Sequence, residues 1–186
     1  MMTAKRPSEI HVDWLPAERL GQVSIDARLR AWLIGNGLLT VRLKAAGKGP
    51  FALQVIDQWT GLLQASHRHG LRTADTAGLF RDVEMGCGGQ VWVFAQSVMP
   101  DSTLNAHPWL AELGESALGE TLCGLSGYER SAYEFGWLTH DHPVAARALR
   151  EAEVKPEGLW ARRSRISLRG SPILVQELFL PSIHAQ

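Results

Sequence analysis

Hydrophobic residues recur along this chain with two different periods, and the places where the period changes mark the elements. Ile25, Leu29, Trp32 and Leu33 fall at helical spacing behind Ser24, which can cap a helix from Ile25 to Ile34, and Gly35-Asn36-Gly37 supplies its stop. Leu39 to Lys44 reads as a strand. After the turn Gly47-Lys48-Gly49-Pro50, Phe51 to Trp59 alternates apolar and polar positions as a second strand, so these two are expected to form a hairpin. A second hairpin is expected from Leu79–Met85 and Gln90–Val98, reversed at Gly86-Cys87-Gly88-Gly89. Ser102 can cap a helix that buries Leu104, Trp109, Leu110 and Leu113 and closes at Gly114, and a short helix fits Leu118 to Leu125. Tyr133–Leu138 reads as a strand and Pro143–Glu153 as helix or loop. The last two strands, Leu159–Leu168 and Ile173–Leu180, face each other across Arg169-Gly170-Ser171-Pro172.

About six strands and three or four helices, with hairpins dominating, predict an α+β fold: one antiparallel sheet with helices on one face. At 186 residues, without repeats or a low-complexity linker, the chain reads as a single domain.

Two residues break this pattern. Alternation places Ile173, Val175, Glu177 and Phe179 on one face of the final strand, so a carboxylate stands on an apolar side. Leu79, Arg81, Val83 and Met85 share a face in the same way, so Arg81 breaks its stripe with the opposite sign. A buried carboxylate shifts its pKa or finds a partner, because desolvation otherwise costs it several kcal/mol. Arg162, which shares a face with Ser164, Ile166 and Leu168 on the adjacent strand, is one such partner and would make Glu177 structural. Arg163, Arg165 and Arg169 read as a solvated face. For Arg81, a protein carboxylate and a ligand carboxylate are equally open, since a guanidinium fork matches either. Together the two residues describe a site that fixes an organic anion with one charge and moves a proton with the other.

Composition narrows the choice of partner. Nineteen basic residues balance nineteen acidic ones, which offers no bulk attraction to nucleic acid or an anionic membrane, and no apolar run reaches the ~20 residues of a spanning helix. Hydrophobic residues make up 45% and charged residues 20%, a globular composition. The seven Trp are read chiefly as packing residues. Met1 to Glu9 has no secretory pattern, and Cys87 and Cys123 are expected as free buried thiols in a reducing cytoplasm. His67-Arg68-His69 and His140-Asp141-His142 lack a third ligand nearby, so no metal site is expected. Gly86-Cys87-Gly88-Gly89 lacks the Lys-Ser/Thr ending of a phosphate loop, and no nucleophile elbow or dinucleotide fingerprint occurs.

At these residues the chain resembles the chorismate pyruvate-lyases, bacterial enzymes that make 4-hydroxybenzoate for ubiquinone synthesis. The resemblance is carried by Leu159-Trp160-Ala161-Arg162-Arg163-Ser164-Arg165 through Glu177-Leu178-Phe179-Leu180-Pro181. Further matches are Leu79-Phe80-Arg81 followed by Trp92, Pro100 with Ser102-Thr103-Leu104, Leu113-Gly114, Leu118-Gly119, and Trp32-Leu33 through Thr40. Residues 1–22 match poorly and are assigned no role; residues 23–186 form the lyase-like domain.

The resemblance implies a six-stranded antiparallel sheet with an internal cavity closed by two helical flaps, acting as a cytoplasmic monomer without metal or organic cofactor. It makes Arg81 the residue that holds the ring carboxylate, and Glu177 the one that meets the ring hydroxyl region and takes part in catalysis. Backbone amides of Leu39 and Leu118 would complete carboxylate binding; Leu39 stands where the family pattern carries Met, a small change for a main-chain contact. Chorismate would be the substrate, with 4-hydroxybenzoate released slowly and inhibitory. The alternative is an aromatic-acid-sensing effector domain of the same fold, against which stand the neutral charge and the lack of room for a DNA-binding helix-turn-helix before Val23.

Overall fold

The computed structural model describes residues 10–185, so the polar opening Met1–Glu9 lies outside the described residues. One antiparallel sheet organises the chain. Its longer strands are β2 (Phe51–Leu62), β3 (Ala77–Cys87), β4 (Gln90–Pro100), β6 (Glu134–Thr139), β7 (Gly158–Leu168) and β8 (Ser171–Phe179). Two short pieces, β1 (Leu15–Pro16) and β5 (Tyr128–Arg130), raise the count to eight, against the six expected. The spatial order is β1-β6-β7-β8-β4-β3-β2, with β5 pairing β7.

Turn chemistry explains the two tightest reversals. Gly88 and Gly89 have φ of 59° and 79°, and Arg169 and Gly170 have 50° and 86°; each pair joins strands through a two-residue loop. Left-handed backbone at both central positions matches the right-handed twist of the strands, and glycine adopts it without steric penalty.

The first helices depart from the expectation. Asp26, rather than Ser24, caps α2 (Ala27–Ile34) by accepting from the amides of Arg28 and Leu29 at 3.0 and 3.1 Å, so the helix starts later. Leu39–Lys44 is not a strand: it lies in α3 (Leu39–Ala46), which buries Leu39, Thr40 and Leu43 at the i, i+1, i+4 positions of one helical face. β2 pairs instead with β3, Phe51 facing Cys87 and Leu62 facing Ala77, with a bulge at Ile56. Ser102 lies within α5 (Asp101–Ala106) and donates to Asp75 at 2.5 Å, while a 3₁₀ turn, Pro108–Glu112, carries Leu110 inward and leaves Trp109 exposed.

Helices cover both faces of the sheet, not one. One face carries Arg81, Val83, Ala95, Ser97, Val175 and Glu177; α2, α3 and α6 (Leu118–Cys123) pack with that side of the molecule. The opposite face carries Phe80, Phe94, Val98, Leu174 and Leu178, covered by α4 (Ala65–Leu71) and α7 (Pro143–Ala148). A short helix α1 (Ala17–Leu20) completes the order. Sheet residues that alternate between two covered faces are buried on both, so β3, β4 and β8 are almost wholly interior. Cys87 is buried and Cys123 exposed, both free, which corrects the expectation of two buried thiols. His67 and His142 serve local caps: each Nδ1 accepts a backbone N–H, from Gln64 and Val144 respectively.

Candidate active site

Cross-strand register assembles the site. Arg81 on β3 faces Ser97 on β4, which faces Val175 on β8, which faces Ser164 on β7. One pleat along, Val83 faces Ala95, Ala95 faces Glu177, and Glu177 faces Arg162. Arg81 and Glu177 therefore project from the same face, two strands and one pleat apart, roughly 10 Å across the sheet and 7 Å along it at the backbone. Both line one pocket of about 540 Å³, its mouth included. Leu53, Val83, Met85, Ala95 and Val175 give the pocket an apolar floor, and Gly37–Thr40 and Ala117–Gly119 form its walls.

Arg81 is 1% exposed. Its Nη2 donates to the carbonyls of Gly114 and Ser116 at 2.7 and 3.1 Å, and its Nε is buried without a hydrogen-bond partner. The carbonyl contacts aim the side chain, and they are supplied by the loop after the 3₁₀ turn, where Gly114 takes a φ of 53°. No protein carboxylate lies within ion-pair distance of Arg81 among the described residues. Burial pushes its guanidinium below the ordinary arginine value, and a guanidinium stays charged in proteins near neutral pH. Of the two partners left open by the periodicity, a protein carboxylate is thus excluded within the described residues.

Glu177 is paired. Its Oε2 accepts from Arg162 Nε at 2.5 Å across the β7–β8 ladder. Arg162 is fully buried, and its Nη1 also reaches the carbonyls of Leu33 and Gly35 at 3.2 and 3.0 Å. The guanidinium lies 4.3 Å from the centre of the Tyr133 ring. Arg162 therefore links the Glu177 carboxylate to the C-terminal end of α2, where orphan carbonyls favour a cation. Arg42 of α3 caps the same end, donating to Trp32 and Ala31 at 3.0 and 2.8 Å, and burial followed by the nearby Arg162 charge lowers its pKa. The structural reading of Glu177 is correct as far as the ion pair goes, yet the same residue lines the pocket.

Leu39 and Leu118 are each the first residue of a helix, α3 and α6, whose N-cap positions, Leu38 and Ala117, offer no side-chain acceptor. First-turn amides have no intrahelical partner, and both residues line the pocket. Reading Leu39 as part of a strand hid this, because a strand would have used that amide in the ladder.

Arg130 and Tyr133, also pocket residues, escaped the sequence reading. Arg130 Nε donates to Tyr128 Oη at 2.9 Å, and Nη1 donates to Tyr133 Oη and Ser164 Oγ at 3.1 and 2.9 Å. Burial draws its pKa down, but Tyr133, Tyr128 and Glu177 outweigh that and leave it above the ordinary value. The available signal was the spacing Tyr128-x-Arg130-x-x-Tyr133, which flanks one cation with two phenols.

A family model described as "Chorismate lyase" matches residues 9–186. This chain belongs to the chorismate lyase family. Among relatives of this chorismate lyase family member, a "Probable chorismate pyruvate-lyase" of Pseudomonas aeruginosa (strain UCBPP-PA14) is 37% identical over 175 residues, covering 93% of each chain. One so named from Nitrosospira multiformis is 36% identical over 173 residues, 92% of this chain and 94% of the other. The "Chorismate pyruvate-lyase" of Salmonella arizonae is 29% identical over 160 residues, 86% of each. In fold, the chain is similar to the effector domain of PhnF from Mycobacterium smegmatis, with a TM-score of 0.56, 13% identity, and coverage of 78% of this chain and 90% of that one.

Proposed function

We propose that this protein is a chorismate pyruvate-lyase, converting chorismate to 4-hydroxybenzoate and pyruvate, with the aromatic product destined for ubiquinone synthesis. The observation that carries the reading is the pairing of a buried, carboxylate-free Arg81 with Glu177 around one largely apolar pocket, in a chain of the chorismate lyase family.

The chemistry asks little of the protein beyond placement. The ring C–H bond next to the ether carbon gives up its proton, and its electron pair becomes the new ring double bond. The ether C–O bond breaks, and the enolpyruvyl methylene gains a proton to become the methyl group of pyruvate. Atoms and charge balance without water or an outside oxidant, and aromatisation drives the step. Arg81, with the Leu39 and Leu118 amides, holds the ring carboxylate. Glu177 sits toward the hydroxyl and ether side, oriented by Arg162, where it serves the migrating proton or the developing charge. The α2–α3 segment and the Ala117–Cys123 segment act as the two flaps over the enclosed ligand, and the enzyme works as a cytoplasmic monomer.

Incubating the purified protein with chorismate and separating the products tests the reading; pyruvate and 4-hydroxybenzoate should form in equal amounts. Unchanged chorismate would refute it, and 3-hydroxybenzoate would reassign the product. The rival, an effector-sensing domain, rests on likeness of fold alone and predicts binding of 4-hydroxybenzoate without turnover of chorismate.

A further inference from the structure

The two arginines that line the pocket, Arg81 and Arg130, make no ion pair with a carboxylate among the described residues. Glu177, the pocket's carboxylate, has its charge matched by Arg162. The fixed charges facing the pocket therefore leave a surplus of two positive charges. One anchored carboxylate on Arg81 accounts for half of it.

Arg130 is placed to account for the rest. Three neutral hydroxyls, those of Tyr128, Tyr133 and Ser164, hold the guanidinium by Nε and Nη1 without neutralising it. None of these bonds uses Nη2. Ser164 closes the cross-strand row that Arg81 opens, three strand spacings or roughly 14 Å away at the backbone, so the two cations are anchored at separate places around the pocket. Hydroxyl partners are what a preorganised anion site requires: they fix the fork's orientation and leave its charge for the ligand.

We propose that Arg130 binds a second carboxylate, making this a pocket for aromatic or cyclohexadienyl dicarboxylates rather than monocarboxylates. The proposal deepens the lyase reading and rests on it for the identity of the substrate. Chorismate carries its second carboxylate on the enolpyruvyl arm, so Arg81 grips the ring and Arg130 the departing arm. Cleavage divides one dianion into two monoanions, one at each guanidinium, with no charge created or lost. Arg130 thus offers the substrate's arm a contact that the aromatic product cannot make, and leaves the product's own hold on Arg81 unchanged.

The test compares ligands that differ in the second carboxylate. By titration calorimetry, wild-type protein should bind the non-eliminating 3-(carboxymethoxy)benzoate at least about tenfold more tightly than 3-methoxybenzoate, the span expected of one charge-assisted contact. Arg130→Met should erase that preference and raise KM for chorismate roughly ten- to hundredfold, while 4-hydroxybenzoate affinity stays within about threefold. Arg130→Lys should restore part of both effects. Equal wild-type affinity for the two benzoates, or a proportional loss of mono- and dicarboxylate binding in a folded Arg130→Met, would overturn the proposal. The wild-type comparison decides even if the variant does not fold. Dicarboxylate preference without chorismate turnover would sink the lyase reading alone; turnover without the preference would sink only the role of Arg130.

Discussion

At the scale of single residues, the site depends on buried charges being unequal in their partners. Glu177 has a buried guanidinium, whereas Arg81 has backbone carbonyls and an unbonded Nε. Glu177→Gln keeps an oxygen to accept from Arg162 and removes the charge, so the variant should fold while turnover falls by about two orders of magnitude or more, the range of a lost acid–base group. Steady-state rates alongside a thermal melt check this; full activity would remove Glu177 from the mechanism. On the opposite face, Asp82 is fully buried between Gln96 Nε2 at 2.9 Å and Arg147 Nε at 2.7 Å. Burial raises its pKa more than Arg147 and Gln96 lower it. The folded state then binds this proton more tightly than the unfolded chain, so Asp82 weakens the fold as pH rises above the ordinary carboxylate range. Asp82→Asn, with the Gln96 amide turned to match, should gain stability relative to wild type as pH goes from about 4 to 7, measured as the gap in urea midpoints. A gap that narrows over that range would contradict the assignment. Residue periodicity made both site charges legible, since an ion on an apolar stripe needs no tertiary information to be noticed. Arg130 was illegible because its three-residue strand is too short to show a period.

Among the elements, the hairpins joined by Gly88-Gly89 and Arg169-Gly170 could be read in advance because local turn chemistry fixes them. The segment Leu39–Ala46 could not. Its sequence LTVRLKAA suits either period over so few residues, and what decides is tertiary: Leu39 and Leu43 pack in the core while Arg42 clamps the end of α2. That difference matters for the proposed function, because only as a helix does the segment leave the first amide without a backbone partner at a residue that lines the pocket. Proline at a first helical position removes this donor while preserving the helix, and the preceding Leu38, at φ −74° and ψ 124°, already has the extended backbone that proline requires. Leu39→Pro should weaken 4-hydroxybenzoate binding by roughly tenfold beyond the effect of Leu39→Ala, which keeps the amide and loses the same packing. Calorimetric titration of both variants checks this, and equal affinities would show that the amide makes no contact.

For the molecule as a whole, a sheet covered on both faces has its pocket lined by one set of helices and by strands that are themselves buried. The expectation of helices on one face failed because the run of interior residues in β3, β4 and β8 blurs the alternation that would reveal a second covered side. The flat product keeps the proposed Arg81, Leu39 and Leu118 contacts after the arm has left, so product departure should limit turnover. Added 4-hydroxybenzoate should therefore inhibit competitively at well below millimolar concentration, and initial rates indifferent to millimolar product would contradict those contacts. The most direct measurement is a crystal structure with 4-hydroxybenzoate bound. Its carboxylate should lie on the Arg81 fork, its hydroxyl toward Glu177 and its ring over Val83 and Ala95; a ligand bound elsewhere, or lying with its carboxylate turned away from Arg81, would rule out Arg81 as the anchor of the site.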